Sequence, residues 1–169
     1  GNLPLVTFFL DKGCNPNLQD GNAETALYCA VKMENNMPVI KLLMKFGANV
    51  NGGSGEGVTP LSLACANGNM ITASYLLDNG ANPMTPDMRG ITPFFTACAQ
   101  GHANIVTLLS QYGDEFPGTI DIHRKTNTDI SVLYATCQRG NIEILKILIQ
   151  MGAAFDERNI QGITPFHAA

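Results

Sequence analysis

The residues best suited to chemistry in this 169-residue chain are its five cysteines and three histidines. A nucleophilic site needs a thiol beside a base, and a zinc site needs closely spaced Cys or His ligands. The cysteines include no CxxC pair, and their spacing fits neither a zinc site nor a short disulfide framework. We therefore predict reduced, structural thiols and no catalytic cysteine. They are Cys14, Cys29, Cys65, Cys98 and Cys137.

The histidines give a similarly weak indication of chemistry. His123 lies close in sequence to Asp121 and Asp114, which leaves a transient metal contact as a minor alternative. For His102 and His167 we expect structural roles, which follow from their places in the repeat described below. We predict no metal site in the chain.

A glycine-rich segment, "NVNGGSGEGVTP" at 49–60, raises the question of a phosphate-binding loop. A Walker loop requires Lys followed by Ser or Thr after its last glycine, whereas Val58, Thr59 and Pro60 follow Gly57 here. A dinucleotide fingerprint requires a preceding strand in a βαβ unit. We predict a surface loop, and no cofactor.

Bulk composition excludes two further classes of partner. The net charge is −4, and no stretch shows the Lys and Arg clustering that binding to a phosphate backbone requires. No apolar run reaches about 18 residues, so no segment is predicted to insert into a membrane. The five unpaired cysteines favour a reducing, cytoplasmic location, with the nucleus as an alternative.

The elements that must position any site follow a repeat. A threonine or serine recurs at intervals of 34, 33, 39 and 33 residues, and a turn glycine or asparagine keeps the same register. A second glycine lies twelve residues after each turn residue. The first marker is at Thr25, Thr59, Thr92, Ser131 and Thr164, the second at Gly1, Asn35, Gly68, Gly101 and Gly140, and the third at Gly13, Gly47, Gly80, Gly113 and Gly152.

Each unit is predicted to hold two short helices. Threonine followed by proline is typical of a helix N-cap with proline in the first turn, which predicts first helices at 25–33, 59–67, 92–100 and 131–139. A turn residue in the left-handed conformation ends each first helix. An asparagine such as Asn36 or Asn141 then caps the second helix, which the third glycine marker closes.

The second helices carry apolar residues at helical spacing, which predicts one broad buried face. In the last full unit this face comprises Ile142, Ile144, Leu145, Leu148 and Ile149. Two short helices cannot bury a core alone, so each pair must pack against its neighbours.

The segments "GVTPLSLACANGNMITASYLLDNGAN" at 57–82 and "GITPFFTACAQGHANIVTLLSQYGDE" at 90–115 resemble the ankyrin repeat family, whose signature is T-P-L-H-x-A in a unit of about 33 residues. The resemblance covers essentially the whole chain. It implies an all-α solenoid of stacked antiparallel helix pairs, with loop or β-turn fingers beside a concave surface lined by the first helices. Thr72 and Ala73 depart from the family by placing small or polar residues in the core.

In this register the chain is a single array, 1–169. We predict the second half of one unit, four full units and the start of a sixth, and we expect a segment of a longer protein with further repeats on both sides. An insertion of six residues follows Gly113, and within it Phe116 and Ile120 could form an extra contact surface at 114–128. The units are 1–20, 21–53, 54–86, 87–125, 126–158 and 159–169.

The resemblance also implies where a partner would bind, namely at variable positions on the fingers and on the concave side of the first helices. These positions combine methionine and isoleucine with basic side chains, as peptide-binding surfaces often do. Finger-to-finger packing is the alternative for the isoleucines. The candidates are Lys32, Met33, Glu56, Met88, Arg89, Gln100, Gln138, Arg139 and Ile160.

Three functions remain open from the sequence. The first is a protein-interaction module that binds a peptide or a folded partner, within a larger protein. The second is a structural spacer in a long array of a cytoskeletal, axonemal or membrane-anchored protein. The third is a substrate-recruiting or regulatory arm of an enzyme whose catalytic domain lies elsewhere, because the chain itself offers no active site.

Overall fold

Ten α-helices make up the regular structure of the computed structural model, which describes residues 2–33, 36–115 and 120–169. They alternate between first and second helices of successive units, and the only strand-like pairing within the described residues is two isolated bridges, Gln19 with Thr25 and Lys125 with Ser131. The helices are α1 (Leu3–Asp11), α2 (Ala26–Lys32), α3 (Met37–Lys45), α4 (Pro60–Ala66), α5 (Met70–Asp78), α6 (Pro93–Gln100), α7 (Ala103–Glu115), α8 (Val132–Arg139), α9 (Ile142–Gln150) and α10 (Pro165–Ala168).

These helices form two layers. The first helices α2, α4, α6, α8 and α10 pack side by side in chain order, and each of α2, α4, α6 and α8 also packs against the second helix that follows it. The second helices α1, α3, α5, α7 and α9 form the other layer. The all-α solenoid of stacked helix pairs is therefore confirmed.

The predicted capping residues begin the first helices. Thr25, Thr59, Thr92 and Ser131 each accept a hydrogen bond from the backbone N–H three residues later, at 3.1 to 3.2 Å. The hydroxyl thereby satisfies an N–H that has no partner inside the helix. Gly68, Gly101 and Gly140 lie at φ of 69°, 84° and 69°, which confirms the left-handed residue between the two helices of a unit.

The prediction that Gly113 closes a helix is wrong. Helix α7 continues through Gly113 to Glu115, so the insertion begins by lengthening a helix. A Cβ atom at position 113 would lie 2.9 Å from the Cγ1 atom of Ile120, which returns over this turn. Glycine is therefore needed here for close packing. Phe116 and residues 117–119 lie outside the described residues, as do Gly1 and Asn35.

Two smaller predictions about the second helices are also corrected. The Asn36 side chain makes no capping bond, and its amide instead donates to the Ala30 carbonyl at 3.2 Å. In α9, Ile144 and Leu148 are fully buried, but Ile142 and Ile149 are 65% and 38% exposed. The buried face is thus narrower than the spacing predicts, because the first-helix layer covers only one side of each second helix.

Each finger is a tight turn that begins with a polar residue five positions before the capping Thr or Ser. At four of the five fingers, the side chain of this residue accepts hydrogen bonds within the turn. Asp20 Oδ1 accepts hydrogen bonds from the Asn22 and Glu24 N–H groups, and Asn159 repeats this arrangement toward Gln161 and Ile163. Such local bonds give the backbone a defined turn. The five fingers begin at Asp20, Ser54, Asp87, Thr126 and Asn159.

The fourth residue of every finger has a positive φ. Glycine occupies this position at Gly57, Gly90 and Gly162, but Ala23 and Asp129 adopt φ of 56° and 60°. The left-handed conformation costs a non-glycine residue about 1–2 kcal/mol. We expect Ala23→Gly to raise the free energy of unfolding by about 1 kcal/mol, measured from urea unfolding followed by circular dichroism.

The matched control is Gly57→Ala. A Cβ atom there would meet only ordinary contacts, the nearest being Asp87 Cα at 3.4 Å, so the substitution reports the backbone effect alone. We expect it to lower the free energy of unfolding by a similar amount. A stability loss in Ala23→Gly would contradict the proposed backbone strain.

Candidate interaction surface

A groove of about 280 Å³ lies between the second and third full fingers and the first helices beneath them. Finger residues form its upper wall, and side chains of α4 and α6 form its floor. Most of the lining is apolar, with charged and amide groups at the rim. We call this the first-helix groove. Its lining includes Val58, Leu63, Ala66, Asp87, Arg89, Ile91, Phe95, Ala99 and Gln100.

Asp87 organises the rim of the groove. Its Oδ1 atom accepts hydrogen bonds from the Arg89 and Ile91 N–H groups, both at 2.9 Å. Its Oδ2 atom accepts from Nε and Nη2 of Arg89 at 3.1 and 2.9 Å. The Asp87 side chain is 5% exposed, whereas that of Arg89 is 67% exposed. One buried carboxylate therefore fixes both the turn and the direction of an exposed guanidinium group.

The neighbouring finger fixes the same region from the other side. The Asn127 N–H donates to the Arg89 carbonyl at 2.9 Å, and the Asn127 side-chain amide donates to the Met88 carbonyl at 2.8 Å. The Met88 N–H in turn donates to the Glu56 carbonyl at 3.0 Å. The fingertips are thus linked through backbone atoms, which leaves the side chains of Met88 and Glu56 exposed.

Arg139 places a second cation beside the groove. It lies at the end of α8, and its Nη2 atom donates to Gln100 Oε1 at 3.0 Å. Gln100 is neutral, and among the side chains that the structure describes no carboxylate forms an ion pair with Arg139. The charge of this guanidinium group is therefore available to an incoming anion.

The structure brings some of the predicted contact residues together and separates others. Arg89 and Gln100 line the first-helix groove, and Arg139 contacts Gln100. Lys32 instead pairs with Glu24, with 3.1 Å between Nζ and Oε1. Met33 and Met88 are 55% and 72% exposed. Gln138 is also exposed, and Ile160 is 83% exposed on the last finger.

The histidines fit structural roles. His102 Nε2 lies 3.2 Å from the Ala66 carbonyl of the preceding unit. His123 Nδ1 lies 2.9 Å from Oε1 of Glu157, two residues before the last finger. His167 Nδ1 lies 2.6 Å from Thr164 Oγ1, within α10 and its cap. The Asp114 side chain, the other neighbour weighed for His123, lies outside the described residues.

The cysteines are all free, and the two most buried are chemically protected. Burial raises the pKa of the Cys65 thiol to about 12 and raises that of Cys98 as well. Both therefore stay protonated near neutral pH, and a thiol in this form is a poor nucleophile. Burial and the hydrogen bond to Glu24 also raise the pKa of Cys29.

One group of possible metal ligands was not predicted from sequence. Donor atoms of Asp20, Glu24 and Cys29 lie within 4.8 Å of one another. Each already has another role: Asp20 holds its finger, and Glu24 accepts hydrogen bonds from Lys32 and from Cys29 Sγ. These existing hydrogen bonds fit a local polar network.

Within the described ranges, no helix is both long enough and apolar enough to cross a membrane.

Comparisons with known proteins agree with this architecture. Residues 1–87 and 35–118 match the family model for ankyrin repeats, in 3 copies. The chain is 27% identical over 164 residues to an ankyrin repeat protein of Fowlpox virus (strain NVSL), which covers 97% of this chain and 16% of that protein. It is 28% identical over 153 residues to the human transient receptor potential cation channel subfamily A member 1, covering 89% of this chain and 14% of the channel. The chain thus spans less than a fifth of either relative.

Proposed function

Because the chain belongs to the ankyrin repeat family, whose members generally mediate protein–protein interaction, we propose that it is an interaction module that binds an extended protein segment in the first-helix groove. The observation that carries this proposal is the groove itself, which has an apolar floor and the Arg89 guanidinium group in its lining. The Arg139 guanidinium group lies beside the groove, where it donates to Gln100. A small number of placed polar groups around an apolar pocket is typical of a binding site.

The lining indicates the chemistry of the segment. Leu63, Ile91 and Phe95 are half-buried and would be covered by an apolar side chain of the partner. The described side-chain partner of Arg139 is a neutral amide, so Arg139 could donate hydrogen bonds to a carboxylate next to the partner's apolar side chain. The proposed ligand is therefore an extended segment that carries an aspartate or glutamate next to a large apolar residue.

The position of the groove also explains why only some of the predicted contact residues belong to the proposed binding site. Lys32 is already paired with Glu24, and Ile160 lies on a distant finger. We propose Arg89, Gln100 and Arg139 as the central contacts and Met88 and Glu56 as the neighbouring ones. The family's members are non-catalytic interaction modules, so we assign the chain a binding function.

A display library of random peptides tests this function even though the partner is not identified. We expect selected peptides to contain an acidic residue beside an apolar one, and Arg139→Glu to weaken their binding by about ten-fold or more because it places like charges together. The double variant Arg89→Glu with Arg139→Glu should bind more weakly still. Fluorescence anisotropy measures these affinities, and circular dichroism checks the helix content.

Ile142→Glu is the control, since it introduces the same glutamate side chain at an exposed position of the other layer. It should bind the selected peptides as the wild type does. Equal affinity of the double variant and the wild type would exclude this groove. A library that yields no specific peptide would favour the spacer function instead.

We also propose a reducing location for the chain, such as the cytoplasm. The support is the set of five free cysteines, two of them exposed or half-exposed near the first finger.

A further inference from the structure

Helix α5 has an unusual distribution of side chains compared with the other second helices. Its two core positions in the first turn hold Thr72 and Ala73, which are 2% and 0% exposed. The equivalent positions of α3 and α7 hold larger aliphatic residues, which are also buried: Val39, Ile40, Ile105 and Val106. Small residues let α5 lie closer to the first-helix layer.

Two large apolar residues in the first turn of α5 face outward, whereas Leu76 and Leu77 further along the helix are buried. Met70 is 44% exposed and Ile71 is 72% exposed. The other second helices carry Pro38, Asn104 and Glu143 at the position of Ile71, so this unit alone among the four places a large aliphatic side chain there. Contiguous exposed apolar residues commonly mark an interaction site.

These residues line a second depression, of about 440 Å³, on the outer side of the second-helix layer. Among the described residues, α3 and α5 are the least closely packed neighbours in that layer, which leaves the space between them open. We call this the second-helix furrow. It is lined by Met37, Lys41, Met70, Ile71, Ser74, Tyr75 and Asp78.

The two methionines are held in place by neighbouring polar groups. The buried Thr72 hydroxyl donates to Met37 Sδ at 3.6 Å. The Asn104 side-chain amide donates to Met70 Sδ at 3.7 Å, from α7. Both thioethers belong to the first residue of their helix, so they form an apolar floor at one end of the furrow. Methionine adapts readily to the shape of a ligand.

The size of the furrow restricts its occupant. It is lined by seven side chains of two helices, far fewer than the roughly 20–30 residues per side that a stable protein interface involves. A second copy of this chain would leave most of such an interface unfilled. A single helix fits, because a furrow between two parallel helices accepts the side-chain ridge of a third.

The charged side chains at the furrow indicate the sign of the charge that its occupant should carry. Lys41 and Lys45 stand exposed along α3, and neither forms an ion pair with a described carboxylate. Lys41 Nζ instead lies 5.7 Å from the ring centroid of Tyr75, above the apolar floor. Asp78, at the far end of α5, is the one acidic side chain that lines the furrow in the described structure. The α3 edge of the furrow is therefore basic, with Lys41 on the lining and Lys45 one turn further along the helix, and the α5 edge ends in one carboxylate.

From this geometry we infer that the second-helix furrow binds a short amphipathic helix of a partner protein, with its apolar face on Ile71, Met70 and Met37 and acidic residues along Lys41 and Lys45. This surface lies on the opposite layer from the first-helix groove. One chain therefore offers two sites of different chemistry, one for an extended segment and one for a helix.

Methyl NMR tests this inference directly, because the seven methionines report on both surfaces. Met37 and Met70 lie in the furrow, whereas Met88 lies beside the first-helix groove. The probe is a synthetic peptide of about 14 residues, cross-linked to hold it helical because isolated helices of that length are marginal in water. It carries leucines on one face and glutamates on both flanks.

We expect this peptide to shift the Met37 and Met70 methyl signals and to leave that of Met88 unchanged. A lysine-flanked twin should bind about ten-fold more weakly or not at all. Ile71→Asp should abolish the shifts, and Lys41→Glu should weaken binding by about ten-fold. Ile71 is 72% exposed, so its replacement is expected to leave the fold intact.

The matched control is Ile142→Asp, which changes a similarly exposed isoleucine on α9, outside the furrow. It should bind the peptide as the wild type does. Unmoved Met37 and Met70 signals, or equal binding of the lysine-flanked twin, would overturn the inference. So would Met37 and Met70 shifts that depend on protein concentration without peptide, since a second copy would then fill the furrow. Shifts at Met88 alone would support the groove and reject the furrow.

Discussion

Asp87→Ala is expected to lower the free energy of unfolding by about 2–3 kcal/mol and to remove most peptide binding at the first-helix groove. The carboxylate accepts two backbone N–H groups of its own finger and two N–H groups of Arg89. Its loss leaves the turn without its hydrogen-bond acceptor and releases the guanidinium group from its fixed direction. Urea unfolding and anisotropy with selected peptides measure the two effects.

Two further variants separate turn stability from arginine placement. Asp20→Ala removes the same pair of backbone hydrogen bonds from the first finger, where the carboxylate is exposed and holds no arginine. We expect a loss of about 1 kcal/mol and unchanged peptide binding. Asp87→Asn keeps an acceptor for the turn but removes the charge that faces Arg89. We therefore expect its loss of binding free energy for the peptide to exceed its loss of free energy of unfolding. Equal effects of Asp20→Ala and Asp87→Ala on binding would contradict the role of Asp87.

Phe94→Ala should cost about 3–5 kcal/mol of folding free energy, a large part of the roughly 5–15 kcal/mol that stabilises a typical domain. Phe94 is 1% exposed, and its helix packs against α4, α7 and α8. The substitution therefore leaves a cavity in the middle of the array. Because each unit is stabilised only by its neighbours, we also expect urea unfolding to split into two transitions.

Phe94→Leu supplies one control, since leucine fills the same position at Leu27, Leu61 and Leu133. It should cost less than about 1.5 kcal/mol. Phe166→Ala supplies another, because Phe166 occupies this position in α10 but is 85% exposed. It should be nearly neutral. A single sharp transition in Phe94→Ala with unchanged midpoint would show that the array does not depend on this core contact.

The helices could be predicted from sequence because their ends are fixed by local chemistry. Thr59, for example, meets a free backbone N–H wherever such a helix begins, and Gly68 adopts a conformation that other residues avoid. These constraints act within a few residues, so they can be recognised in a single sequence. The same markers placed α4, α6 and α8 to within about one residue, as close as helix ends can be defined.

Gly113 shows where such local reasoning fails. It matches the closing glycines in register, but Ile120 packs against it and α7 continues to Glu115. That contact depends on how the insertion folds back, which spacing does not encode. Asn36 fails for a related reason, since its amide finds the Ala30 carbonyl in the core instead of an N–H of its own helix.

The candidate surfaces were less predictable than the fold. The sequence indicated Arg89 and Arg139 as exposed cations, but not that Asp87 would hold one or that Gln100 would bond the other. The polar residue that opens each finger, such as Asp87, was a signal present in the sequence that the repeat markers overlooked. The only sequence signal for the second-helix furrow was the pair of small core residues Thr72 and Ala73. A depression depends on how neighbouring helices pack, which the sequence pattern of one helix does not give.

The hydrogen bonds that join neighbouring units have a consequence for how such chains evolve. His102 and Asn141 each reach a backbone carbonyl of the preceding unit, at Ala66 and Gly101, and the fingertips are linked through the carbonyls of Glu56 and Arg89. Every residue carries a carbonyl, so these acceptors survive any change of side chain. Duplication by recombination of a unit that carries such a donor would therefore leave the new junction with an acceptor for it. Genes that encode such arrays can change length by whole units and keep these hydrogen bonds between neighbours.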